Sequence, residues 1–185
     1  MTPLPSRATS KPAARFALFL RGINVGGVKI PMAQLRALLT DIGGLSVSTW
    51  LASGNAAADW PGTEQELHDA VEAALSQRFG YRARVILRPL DELAAIIADC
   101  PHAPTEGFHR YVVLFSSADD AVAAMTTAPV PDLPGEQVHV HGREIYWRCP
   151  QGHTTDSAFG KHQNRGPAEH RPTVRNLQTL QRMAG

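Results

Sequence analysis

The chain has 185 residues, 43% of them hydrophobic and 19% charged, which fits one compact domain or two small halves and excludes a disordered chain. No apolar run approaches the roughly 18–20 residues of a membrane helix, so no membrane partner is expected. The formal net charge is only +1 and the pI about 7.9, well below a typical basic nucleic-acid binder.

That small net charge is unevenly spread. Residues 1–60 hold six Lys/Arg and two acids, residues 61–148 seven and thirteen, and residues 149–185 five and two. The two ends are basic and the middle acidic, so the ends can meet at one anion-attracting face. Residues 1–14, with three prolines and no continuous apolar segment, read as a disordered tail rather than a secretory signal. Two cysteines, Cys100 and Cys149, make no disulfide scaffold, and a cytoplasmic location is the default expectation.

Taken in order, "RFALFLRG" is a short apolar run stopped by glycine, a buried strand. Met32, Leu35, Leu38, Leu39 and Ile42 then recur at three- and four-residue spacing, which predicts a helix with Pro31 in its first turn. "LSVSTWLASGN" alternates as a half-buried strand and ends in a turn at Ser53–Asn55. "AAADW" follows as a poor strand by propensity, because alanine is depleted in sheets. Thr63 and Glu66 form a capping box before a helix with Leu67, Val71, Ala74 and Leu75 inward and Gly80 at its stop. "RARVILR" is the next strand.

The order strand, helix, strand, strand, helix, strand is the ferredoxin-like pattern. Residues 89–185 repeat its logic. A helix carries Leu90, Leu93, Ile96 and Ile97 inward. "HRYVVLFSS" is a strand, "ADDAVAAMTTA" a short helix, and Glu136–Pro150 a hairpin about His141–Arg143. A polar, loop-like stretch precedes "TVRNLQTLQRMAG", whose Val174, Leu177, Leu180 and Met183 predict a closing helix. The expected fold is α+β: two tandem ferredoxin-like α/β halves, residues 15–88 and 89–185, with mostly antiparallel sheets and a C-terminal helix.

Three segments, "LRGINVGG" with "IPM" after it, "TWLASGN" and "TVRNLQT", resemble the bacterial domain-of-unknown-function family 1697. The resemblance spans roughly residues 15–185 and implies a tandem α/β fold without an established activity. Two departures stand out. Ala56–Ala58 replace a bulkier strand after the second motif, and Leu177 stands where the closing motif usually carries tryptophan.

The chemistry-bearing residues fall in the same segments. Arg21 offers a planar fork of donors that matches phosphate or carboxylate. Asn24, Gly26 and Gly27 follow it, and glycine lets successive N–H groups form an anion-binding concavity. Lys29 adds charge just before the helix at Pro31. The pattern is neither a P-loop nor a dinucleotide fingerprint. Ser53 and Asn55 offer a second polar patch, and Arg175 and Asn176 a third at the start of the expected last helix, with Thr173 as its cap.

His139, His141, His153, His162 and His170 show no tight metal-ligand spacing, so no metal and no cofactor are expected. Cys149, four residues before His153, reads as a structural cysteine rather than a nucleophile. The expected function is binding of a small anionic ligand, a nucleotide or phosphorylated metabolite. The alternatives are nucleic-acid binding through a sheet aromatic such as Phe19, and an enzyme using the loop as an anion clamp.

Overall fold

The computed structural model describes residues 13–22, 30–51, 54–80, 83–163, 165 and 170–185. The first half runs β1 (Ala14–Arg21), α1 (Met32–Asp41), β2 (Leu45–Trp50), β3 (Asn55–Trp60), α2 (Glu64–Phe79) and β4 (Arg84–Pro89). After α3 (Glu92–Ala98) the pattern repeats as β5 (Phe108–Leu114), α4 (Ala118–Thr127), β6 (Gln137–His141), β7 (Glu144–Pro150), α5 (Ala158–His162) and β8 (Thr173–Asn176), closed by α6 (Leu177–Ala184). The sheet orders are β2-β3-β1-β4 and β6-β7-β5-β8, with every pairing antiparallel. These are two ferredoxin-like halves in tandem, as the element order predicts. Residues 1–12 of the expected tail lie outside the described residues, and β1 already begins at Ala14.

Local chemistry sets the helices. In α2 the Thr63 hydroxyl accepts from the Glu66 N–H while the Glu66 carboxylate accepts from the Thr63 N–H, and Gly80 closes the helix in the left-handed region at φ 66°. Ser117 caps α4 through the Asp120 N–H.

Alternation along β1 divides the interior. Phe16, Leu18 and Leu20 face α1 and α2 with Leu35, Leu38, Leu67, Val71 and Leu75. Ala17 and Phe19 face the other way, into a second cluster with Ile86, Leu93 and Ile96, with Val112, Leu114 and Tyr146 of the second sheet, and with Leu177, Leu180 and Met183 of α6. A third cluster, with Val113, Ile145, Trp147 and Phe159, lies between the second sheet and its own helices. The uncovered face of each sheet is therefore buried by the other half, with α3 and α6 packed together in that layer. Phe19 is fully buried there, so it offers no face for base stacking.

One local expectation holds against propensity and two change. "AAADW" is an inner strand, hydrogen-bonded to both β1 and β2, and Ala56, Ala57 and Ala58 are completely buried. Two-sided ladder pairing and close helix packing override alanine's poor propensity. Leu51 lies past the end of β2, half exposed at φ 56°. Residues 173–176 form a strand on the open edge of β5 and do not start the last helix; the helix begins at Leu177. Val174 accordingly packs in the third cluster, apart from Leu177, Leu180 and Met183.

Candidate functional site

Two arginines tie the halves together in matching ways. Arg88 on β4 lies opposite Ala17 of β1, and Arg175 on β8 lies opposite Val112 of β5. Two residues further along each first strand, Phe19 pairs with Asn55 and Leu114 with Glu144. Each guanidinium crosses to the opposite half from this register.

Arg175 donates from Nη2 to the Leu20 carbonyl at 2.7 Å, from Nε to Asn55 Oδ1 at 2.5 Å, and from Nη1 to its neighbour Val174's carbonyl at 2.9 Å. Arg88 donates from Nη2 to the Phe115 carbonyl at 2.7 Å, from Nε to Glu144 Oε1 at 2.8 Å, and from Nη1 to its neighbour Leu87's carbonyl at 2.7 Å. The backbone repeats the match: the Leu20 N–H bonds the Gly54 carbonyl and the Phe115 N–H bonds the Arg143 carbonyl. The relation is reciprocal, as at a two-fold interface.

Around the Arg175 clamp the positive charge is concentrated. Thr173 Oγ1 accepts from Arg175 Nη1 at 2.6 Å, and the guanidinium carbon stands 5.9 Å from the Phe19 ring centre, within cation–π range. Burial lowers the Arg175 pKa to about 10. Arg21, one residue after Leu20, is half-buried. Its pKa is lowered first by burial and then by the charge of Arg171, which places those two arginines within electrostatic reach of each other. Arg171, Thr173 and Arg175 stand two apart along the chain leading into β8. The basic first and last segments of the sequence thus meet at the end of β1.

The sequence-predicted residues divide accordingly. Arg21, Asn55 and Arg175 come together at this seam. Asn55 is fully buried and also donates from Nδ2 to the Trp50 carbonyl at 3.2 Å, so its amide joins β2, β3 and β8. Asn176 caps α6 by accepting from the Gln178 N–H at 2.9 Å. It lines a separate cavity of about 320 Å³ with Thr105, His109, Arg110 and Gln178. Asn24, Gly26, Gly27, Lys29 and Ser53 lie outside the described residues. Sequence reasoning missed Arg171, Arg88 and Glu144; reading "RPTVRN" as alternating would have put Arg171 and Arg175 on one strand face.

Among the described residues no group of three His, Cys, Asp or Glu side chains is placed to hold a metal ion, and no helix is long and apolar enough to cross a membrane. Cys149 is fully buried, and burial, then the charges of Glu136 and Asp156, push its thiol up to about 11. His153 is engaged by Asp156 at 2.9 Å. The thiol is structural.

The family model for proteins of unknown function designated DUF1697 matches residues 14–146, nearly three quarters of the sequence. The chain belongs to the DUF1697 family. Its matched residues contain Arg21, Asn55, Arg88 and Glu144, while Arg171 and Arg175 lie beyond them. Among solved structures, the DUF1697 chain is similar to the conserved bacterial protein SP0830 from Streptococcus pneumoniae, with a TM-score of 0.76 and 23% sequence identity. The match covers 93% of this chain and 97% of that one. At that identity the likeness is one of fold. No curated protein matches the chain.

Proposed function

We propose that this DUF1697 protein binds a small anionic ligand, a nucleotide or a phosphorylated metabolite, at the seam beside Arg21 and Arg171. The observation that supports this reading is the meeting of the two basic ends of the chain: Arg175 of β8 donates to the Leu20 carbonyl, next to Arg21, whose pKa is lowered by burial and then by the charge of Arg171. Guanidinium forks gathered there match the oxygens of a phosphate group.

The test is the melting temperature of the full chain with inorganic phosphate, ADP or a sugar phosphate against sodium chloride at matched ionic strength. A ligand at about 100 times its Kd adds roughly 2.7 kcal/mol of stability, which is read as a rise in melting temperature. Arg21→Ala and Arg171→Ala abolish most of that rise. If no phosphate compound outperforms chloride, and both variants respond as the parent does, the reading fails.

A further inference from the structure

β8 pairs with only the second part of β5, from Tyr111 to Leu114, and the chain then turns into α6 at Leu177. Among the described residues, Phe108, His109 and Arg110 of β5 therefore have no strand beside them on that side. A cavity of about 320 Å³ occupies the gap, walled by these three residues, by the turn before them and by the first residues of α6. Its size lies at the small end of the roughly 300–1,000 Å³ typical of ligand pockets.

Two opposite charges line this cavity, and neither is matched within the described protein. Arg110 donates from Nη1 to the His102 carbonyl at 3.2 Å, which leaves Nε and Nη2, the side-on fork of its guanidinium, without a partner among the described residues. Glu106 stands at the exposed rim, in a turn closed by the Phe108 N–H on the Thr105 carbonyl at 3.2 Å. Its carboxylate makes no ion pair or hydrogen bond among the described residues, and it does not pair with Arg110. The His109 imidazole and the Gln178 amide, also without hydrogen bonds there, add polar wall, while Phe108 and Leu177 supply apolar surface.

We propose that this cavity binds a free α-amino acid, with its carboxylate on the Nε–Nη2 fork of Arg110, its ammonium toward Glu106 and its side chain against Phe108 and Leu177. A simple carboxylate would satisfy Arg110 and be repelled by Glu106, and a simple amine would meet the reverse. A small zwitterion complements both charges at once. The proposal is independent of the anion reading at the seam, because it uses none of the residues that carry it.

The experiment is calorimetric titration of the full chain with each free L-amino acid at neutral pH and matched ionic strength, with acetate and ethylammonium as probes of a single charge. At least one amino acid is expected to bind saturably, and neither single-charge probe to match it. Glu106→Gln and Arg110→Gln are each expected to weaken that binding about tenfold or more, the effect of one charge-assisted contact. Glu106 is exposed in its turn, so Glu106→Gln is expected to melt as the parent does without ligand and to report on binding alone. Three results overturn the proposal: no amino acid binds, acetate binds as tightly as the best amino acid, or Glu106→Gln keeps the parent's affinity.

Discussion

Arg88 and Arg175 occupy equivalent registers in the two sheets and reach in opposite directions across one seam, each landing on a carbonyl within one residue of the end of the other half's first strand. Among the described residues, Arg88 fastens the seam through an ion pair with Glu144, and Arg175 through the Leu20 carbonyl and the Asn55 amide oxygen. The fastenings differ in how they fail.

Removing the Glu144 carboxylate leaves the Arg88 guanidinium buried without its counter-charge at 2.8 Å. Glu144→Ala is expected to lower unfolding stability by about 3–5 kcal/mol. The double variant Arg88→Met/Glu144→Leu removes both charges and is expected to lose less than the single variant. Urea unfolding of the two variants measures the difference, and a single-variant loss under about 1 kcal/mol rules out this pair as a fastener of the seam.

Stability should depend on pH near neutrality through α2. His68 lies 3.2 Å from Glu72 and 3.1 Å from Asp69. The hydrogen bond to Glu72 is the main cause raising its pKa above 6.5, against partial burial. Because the folded-state value is raised, this stabilisation is complete below about pH 6.5 and fades as pH climbs through the folded pKa. His68→Gln is expected to flatten the stability profile above pH 6.5. A parent whose melting temperature does not fall over that range, relative to the variant, contradicts the assignment.

Gly160 sits where α5 presses on the second sheet. A Cβ there would run into the Thr154 carbonyl oxygen and approach Trp147 Cη2 to 3.0 Å. Gly160→Ala is expected to cost about 1–3 kcal/mol by overpacking. Chemical denaturation reads this directly; a neutral result would mean that the 150–158 turn yields.

The cysteines should separate by reactivity. Cys149 is fully buried with its thiol at about 11, whereas Cys100 is partly exposed. Alkylation of the native protein at pH 8 is expected to label Cys100 first, with Cys149 reacting only on unfolding. Peptide mapping after a short exposure to iodoacetamide decides it.

Much of the architecture was legible because its signals are local. The capping box at Thr63 and Glu66 and the spacing of Leu35, Leu38 and Leu39 are written in a few adjacent residues. The hairpin pairing Val138 with Trp147 and Val140 with Ile145 follows from alternation alone. The segments that were weak or misread in the sequence depended on distant partners. Ala56–Ala58 become a strand only because β1 and β2 flank them, and four residues at Thr173–Asn176 are too few for periodicity to tell a strand from the first turn of a helix. At the candidate site, Arg21, Asn55 and Arg175 announced themselves as polar groups beside turns. Nothing near Arg88 in the sequence names Glu144, 56 residues away, as its partner.

The reach of Arg175 to Leu20 spans 155 positions of chain. The inner face of the first sheet, Ala17 and Phe19 included, waits on Leu177, Leu180 and Met183 for part of its cover. During synthesis part of that surface stays uncovered until residues past 180 have been made, so from the completion of β4 at Pro89 onward the nascent chain carries a sticky patch on its first sheet. Cellular holdases have their opportunity there, and a ribosome stalled shortly before residue 175 would release a chain prone to clumping.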